Sequence, residues 1–287
     1  MDFKNIPNQS RPQKGQRVAR DIPIIRCAGE ARTETRDVLA AEEPLEIRVN
    51  GESLAVTMRT PGEDRELAAG LLFAEGLIAG AADLLGMKPD PNPANPDRAN
   101  TLLTAVKPWD GADARSADRR SLPATSSCGV CGKRDIASTR CLAPPIAADA
   151  FHVQAAVIYA LEPRMRQAQR DFARTGGLHA AALFDRAGAL VALREDIGRH
   201  NAVDKLIGAE LLAGRTPLAE RLMLISGRAS FEILQKAAVA RLPIVCAVSA
   251  PSSLAVRMAR DLRITLVGFL RGDTMNIYSG EQRILFE

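Results

Sequence analysis

Aromatic side chains are scarce in this 287-residue chain: Phe, Tyr and Trp together make up 4% of it. A base-stacking surface of the RNA-binding type needs more than that. The formal net charge of +4 is too small for a general grip on nucleic acid and suits an anionic ligand or an acidic partner. The five cysteines, odd in number and unevenly spaced, do not form a disulfide framework, which points to a reducing cytosol. No apolar run reaches the length of a membrane span, and the polar N-terminus lacks the apolar core of a signal peptide. There is no Gly-x-Gly-x-x-Gly after a strand, no Walker A segment, no Gly-x-Ser-x-Gly elbow and no internal repeat.

What is present is a chain with enough apolar residues, 46%, for a sizeable core. Four regions are expected. Residues 1–20 are polar and basic and read as a disordered tail. Residues 21–107 read as a small α+β unit. Leu45, Ile47 and Val49 alternate with polar residues, and Leu54, Val56 and Met58 do so again after Asn50-Gly51, a hairpin signal. Thr60-Pro61-Gly62-Glu63 has capping-box spacing ahead of a helix, and Leu102 to Val106 reads as a strand. Residues 108–143 are expected to be a mobile loop, preceded by a stretch rich in Pro and Asn.

Residues 144–287 have the regular texture of an α/β layer. Phe151 to Arg174 reads as one long helix interrupted near Glu162-Pro163. Strands are expected at Leu178–Phe184, Ala189–Arg194, Leu222–Ser226, Ile244–Ser249 and Ile264–Leu270. Helices are expected at Arg199–Ala213, Ala229–Arg241 and Ser252–Asp261. Short apolar strands alternating with helices predict parallel pairing. Ser226-Gly227-Arg228 and Ser249-Ala250-Pro251-Ser252-Ser253 each lead from a strand into a helix, where free backbone N–H groups suit phosphate. Ordinary N-capping is the competing reading of both.

The stretch Ser126-Ser127-Cys128-Gly129-Val130-Cys131-Gly132-Lys133 is the chemical centre of the chain. Two cysteines two residues apart, flanked by glycine and followed by Lys133 and Arg134, favour accessible thiolates. Three chemistries compete. A zinc site wants four ligands, and only Cys141 and His152 are at hand to complete one. A disulfide exchanger places its pair at a helix start after an early strand, which the long polar lead-in does not provide. The third chemistry is a nucleophilic thiol that carries sulfur.

A second cluster, Arg194-Glu195-Asp196-Ile197-Gly198-Arg199-His200-Asn201-Ala202-Val203-Asp204-Lys205, is dense in charge at a strand–helix junction. His200, Asn201, Asp204 and Lys205 fall at spacings of three and four, so they share a helical face. His179 and His200 both stand beside glycine-containing junctions, which marks them as site candidates.

Taken in order, Ser127-Cys128-Gly129-Val130-Cys131-Gly132, Thr175-Gly176-Gly177-Leu178-His179, the charged block from Arg194 to Lys205, Ser226-Gly227-Arg228, Val248-Ser249-Ala250-Pro251-Ser252 and Gly268-Phe269-Leu270-Arg271 resemble the FdhD family, the formate dehydrogenase accessory sulfurtransferases. The resemblance runs from about Glu43 to the C-terminus. It implies a sulfurtransferase that takes sulfur from a cysteine desulfurase as a cysteine persulfide on Cys128, with Cys131 assisting. The acceptor it implies is the molybdenum bis(guanine dinucleotide) cofactor, which then serves formate dehydrogenase. It further implies a cytidine-deaminase-like fold, a homodimer in the cytoplasm and no structural metal. The deaminase-like fold does not imply deamination, because the His-x-Glu and Pro-Cys-x-x-Cys elements of zinc deaminases are missing here. The matching guanine-dinucleotide contacts are Phe269, Leu270, Arg271, Gly272, Asp273 and Thr274; His179, His200, Ser226 and Ser249 join them as cofactor-binding candidates, and GDP is the partial mimic. The alternative, from the residues alone, is a zinc-stabilised binding module without sulfur chemistry.

Overall fold

The computed structural model of the chain describes residues 18–90, 100–107, 143–147 and 151–286. Cys128, Cys131 and Cys141, most of the 1–20 tail, and the polar stretch that holds the cysteine pair lie outside the described residues. Strands β1 (Ala19–Ala28) and β2 (Ala31–Ala40) form an antiparallel ribbon. Arg20, assigned above to the tail, belongs to that ribbon and pairs with Glu43 at 2.7 Å. Strands β3 (Glu43–Val49) and β4 (Glu52–Arg59) follow. They turn at Asn50-Gly51, both with positive φ, as an Asn-Gly hairpin requires. Helix α1 spans Asp64–Ala74. Strands β5 (Leu84–Pro89) and β6 (Thr101–Val106) complete a four-stranded sheet of order β4-β3-β6-β5. Pro89 ends an edge strand, where its missing N–H costs no ladder bond.

The capping box at Thr60 does not form. Glu63 is the N-cap of α1, in the left-handed region and without a side-chain cap. The Thr60 hydroxyl instead accepts from the Ile197 N–H at 3.0 Å, so a tertiary contact takes the group that local spacing assigned to the helix.

Beyond β7 (Val153–Gln154) come α2 (Ala155–Tyr159), α3 (Leu161–Ala168) and α4 (Arg170–Thr175). These three short helices replace the single long one expected. The breaks fall at Ala160 and Gln169, while Pro163 sits in the first turn of α3, where its missing N–H is harmless. The remaining elements are β8 (His179–Phe184), β9 (Leu190–Asp196), α5 (Arg199–Leu212), β10 (Leu222–Ile225), α6 (Phe231–Val239), β11 (Ile244–Ala247), α7 (Ser253–Asp261), β12 (Thr265–Arg271), β13 (Thr274–Ser279) and β14 (Ile284–Leu285).

The main sheet has the order β13-β12-β11-β10-β8-β9. Only β10, β11 and β12 are mutually parallel; β8, β9 and β13 join antiparallel. The expected parallel pairing holds for β10, β11 and β12 and is corrected for β8, β9 and β13, because β8–β9 and β12–β13 are tight hairpins and a hairpin reverses the chain. The fold is a mixed α/β one. Alternate side chains face opposite layers: Ala181, Leu183, Met223, Ile225, Val245 and Ala247 pack toward α5, α6 and α7. Ala180, Ala182, Phe184, Leu222, Leu224, Ile244 and Cys246 pack against Phe151, Ile158, Leu161 and Met165 on the other side. Cys246 is a buried free thiol, pushed by burial up to about 12, and behaves as a small hydrophobe.

Helix α5 is enclosed: every residue from His200 to Leu211 is buried. It crosses α1 at backbone contact. A Cβ on Gly208 would stand 1.9 Å from the Glu66 carbonyl oxygen, and one on Gly70 would stand 1.9 Å from that of Asp204. Alanine is favoured over glycine in a helix by about 1 kcal/mol, so propensity alone says Gly208→Ala stabilises. The crossing says otherwise, since the obstructing atoms are backbone and cannot rotate away. Gly208→Ala is expected to destabilise by about 2–3 kcal/mol, as overpacked cores do, measured by urea denaturation; an unchanged or raised midpoint would refute the contact.

Candidate functional site

The charged block ends β9 and begins α5, and its groups go to two sides of the helix. On one side, fully buried Lys205 donates to the Thr60 carbonyl at 3.0 Å, Asp196 Oδ2 at 2.9 Å and Glu63 at 3.4 Å, which matches its three protons to three acceptors. Asp196 also accepts from the N–H groups of Thr60 and Gly198 and from Asn201 Nδ2. Asn201 Nδ2 reaches the Met58 carbonyl at 2.8 Å as well. On the other side, Asp204 meets Lys236 at 2.6 Å. His200 Nε2 lies 3.0 Å from both Ser230 Oγ and Glu232 Oε2. The single helical face read from the spacing is thus divided, with Asn201 and Lys205 turned toward β4 and α1 and His200 and Asp204 toward α6. Burial pushes the Glu232 carboxyl up, but the hydrogen bond and charge of His200, with Ser230 and Lys236, outweigh it and hold the group below its ordinary value. For Asp204, burial prevails over Lys236 and raises the carboxyl.

The ends of the parallel strands gather the other candidates. Ser226 follows β10, and its hydroxyl accepts from the Ala180 N–H at 2.9 Å and lies 3.4 Å from His179 Nδ1. Gly227 packs against the same imidazole, which a Cβ there would approach to 3.3 Å. The turns after β10 and β11 are clipped together: the Ala229 N–H donates to the Ala250 carbonyl, and the Ser252 N–H to that of Ala229. Ser249 is joined to the last turn through its carbonyl, which accepts from the Phe269 N–H at 3.2 Å. His179, Ser226, Ser249 and Phe269 therefore lie along one edge of the sheet, at the carboxyl ends of β10, β11 and β12, where open α/β sheets hold ligands.

Helices α5 and α6 start at this edge, and neither has a side-chain cap; helix starts are the places where anions are favoured. The N-capping reading holds for α7, where Ser252 accepts from the Ala255 N–H at 3.2 Å. It does not hold for Ser226, whose hydroxyl serves β8 instead. Arg199 stands in the first turn of α5 with its Nε buried and without a hydrogen-bond partner; exposed Arg228 sits in the β10–α6 turn. Sequence patterning singles out His200 and Ser226 here but neither arginine. The usable signal is that each arginine lies between a strand end and the first turn of the helix that follows.

Phe269 to Thr274 form the β12–β13 corner. Phe269 has φ +52°, a region that a bulky residue rarely occupies and that marks functional sites when strained. It is 39% exposed while Leu270 is fully buried. The ladder is irregular between Gly268 and Arg271; Gly272 turns the chain with φ +54°, and Thr274 Oγ1 donates to the Arg271 carbonyl at 2.9 Å. Gly268 must be glycine, because a Cβ would come within 2.9 Å of the Pro251 ring. An aromatic face, a planar cation at Arg271 and an exposed carboxylate at Asp273 share this corner.

Burial, then the charges of Arg199 and His200, lower the His179 imidazole from its ordinary value despite the opposing pull of Asp196. These surroundings favour the neutral imidazole. Its ring-proton resonances are expected to titrate below 6.5, and Arg199→Gln should move that midpoint upward, because removing a neighbouring cation favours the charged imidazole. A midpoint unmoved by the substitution would show that Arg199 does not face His179.

The FdhD/NarQ family profile matches residues 40–285. A sulfur carrier protein FdhD of Streptomyces avermitilis is 48% identical over 284 residues, covering 93% of this chain and 96% of that one. The protein of the same name from Mycobacterium tuberculosis is 50% identical over 257 residues, covering 86% and 92%. A crystal structure of a putative formate dehydrogenase accessory protein from Desulfotalea psychrophila superposes with a TM-score of 0.73 at 23% identity, covering 93% of this chain and all of that one, which establishes the likeness of fold. On the match of its own residues 40–285 and these two relatives, the chain belongs to the FdhD/NarQ family.

Proposed function

We propose that this protein is a sulfur carrier for the maturation of formate dehydrogenase. It takes sulfur from a cysteine desulfurase as a persulfide on Cys128, with Cys131 assisting, and passes it to the metal of a molybdenum bis(guanine dinucleotide) cofactor held as substrate. Relatives at about half identity carry the name sulfur carrier protein, and the Desulfotalea psychrophila protein of like fold is described as a formate dehydrogenase accessory protein. The reading includes a cytidine-deaminase-like arrangement of the main sheet, a cytoplasmic location and a homodimer.

The observation that carries the cofactor part is the carboxyl edge of the parallel strands, where Phe269 is held at φ +52° and partly out of the protein. A strained aromatic beside a cation and a glycine turn suits a purine joined to phosphate. Asp273, one residue beyond that turn, weakens the local positive field, so the pairing with phosphate rests on Arg271 and the helix starts.

Loading with a desulfurase and cysteine should add the mass of one sulfur atom to the peptide holding Cys128, read by mass spectrometry. Cys128→Ala should abolish both the gain and the activation of formate dehydrogenase; normal loading of the variant would sink the assignment. Stoichiometric zinc in protein purified under reducing conditions, lost in Cys128→Ser, would favour a zinc-stabilised binding module instead.

GDP should bind the purified protein, and Arg271→Ala should weaken it by about 1.5–3 kcal/mol through loss of a charge-assisted hydrogen bond. Cys128→Ala should leave that affinity nearly unchanged. Calorimetry decides: a folded wild-type protein that ignores GDP, or an Arg271→Ala variant that binds as well, counts against the corner as the nucleotide site.

A further inference from the structure

Two polar atoms in the first turn of α5 are buried without a hydrogen-bond partner, Nε of Arg199 and Nδ1 of His200, and His200 as a whole is 7% exposed. Buried polar groups are normally paired. Two such orphans in one turn mark a place whose partner comes from outside the described residues. The carboxylates that face this turn are engaged, Asp196 by Lys205 and Glu232 by His200. Arg199 is left as a cation without an ion pair among the described residues. Gly227 keeps the space beside it open: a Cβ there would stand 3.3 Å from His179 Nδ1 and 3.7 Å from Arg199 Cβ. A guanidinium, a helix start and a glycine shelf together suit an anion.

We propose that the persulfide of Cys128 docks here as an anion, between Arg199 and His179 at the start of α5. This rests on the sulfur-carrier function proposed above and names the place where the sulfur is handed over. A persulfide is a stronger acid than a thiol, because the adjacent sulfur withdraws electrons, so it is ionised at pH 7. The place along the edge agrees. The strands run β12-β11-β10-β8, which puts His179 about 14 Å, three strand spacings, from the Phe269 corner. A base held at Phe269 leaves this stretch of the edge for the far, metal-bearing end of the same ligand.

The cysteine pair is within reach. The described chain stops at Lys107 and resumes at Ala143. The Ile146 N–H donates to the Leu262 carbonyl at 2.9 Å, at the opposite, amino end of β12. Cys131 precedes Ala143 by 12 residues, and a chain of that length spans at most about 40 Å. The four residues of β11 that separate the two edges span only about 13 Å.

The ring-proton titration of His179 in the full chain reads the docking, with His152 and His200 as the only other histidines. A negative charge beside an imidazole favours its protonated form. Loading with a desulfurase and cysteine, with the added sulfur verified on Cys128 by mass, should raise the His179 midpoint by about one pH unit. Arg199→Gln should load as well yet lose most of that rise, and Arg199→Lys, which keeps the charge, should retain it. Cys128→Ala treated in the same way should show no rise. A loaded wild type whose His179 midpoint stays put overturns the docking and leaves the sulfur carrier standing. An equal rise in Cys128→Ala on addition of GDP alone gives the place to the ligand's phosphate and overturns the docking too. A wild type that takes up no sulfur on Cys128 overturns both.

Discussion

The contact between Lys205 and Asp196 is the one on which the rest of the structure depends. Both side chains are fully out of water, where an unpaired ammonium or carboxylate is strongly unfavourable. Each is fully engaged: Lys205 by Thr60, Glu63 and Asp196, and Asp196 by Thr60, Gly198, Asn201 and Lys205. Together they tie the loop after β4, the end of β9 and the start of α5 at one point. The backbone crossing of α1 and α5 at Gly70 and Gly208 is held in place by this clasp, and so is the first turn of α5 that faces the candidate site.

The elements that could be read from sequence are those where local chemistry and tertiary structure agree. Asn50-Gly51 sets a hairpin because both residues take positive φ. The apolar runs Leu222–Ile225 and Ile244–Ala247 are strands because both faces are covered. Legibility fails where a distant residue takes over a local group. Thr60 spends its hydroxyl on Ile197 rather than on the helix it precedes. The ribbon was not legible because its apolar residues, among them Ile22, Ile24 and Ile25, do not alternate with polar ones and neither face is buried. Strand β13 is an edge strand that lies beyond Ile264–Leu270, the last strand expected from the sequence.

The candidate site was legible in its residue types and less so in its geometry. Ser226, Ser249, His179 and Phe269 belong to different segments, and only the sheet order shows that they share the carboxyl edge of β10, β11 and β12. Arg199 illustrates the limit. In sequence it is one charge among many between Arg194 and Lys205. In the fold its neighbours are committed to partners, Arg194 to Glu66 and Lys205 to Asp196, while its own Nε has none. The difference between a structural and a ligand-directed cation lies in those partners, which residue type does not encode.

The enclosure of α5 bears on how the chain reaches its native state. A helix with charges on two flanks gains little from early collapse, since burying Lys205 or Asp204 before their partners arrive is unfavourable. The ion-pair partners Asp196 and Lys236 are nearby in sequence, but the contacts that complete the cluster come from far along the chain: Thr60 and Asp196 are separated by 136 residues and Lys205 and Thr60 by 145. Closing loops of that length precedes any reward from the contact. The α5 segment is therefore among the last to dock, and its amide protons, once docked, belong to the slowest-exchanging unit of the protein. Opening of the small sheet and opening of the main one then become a single cooperative event.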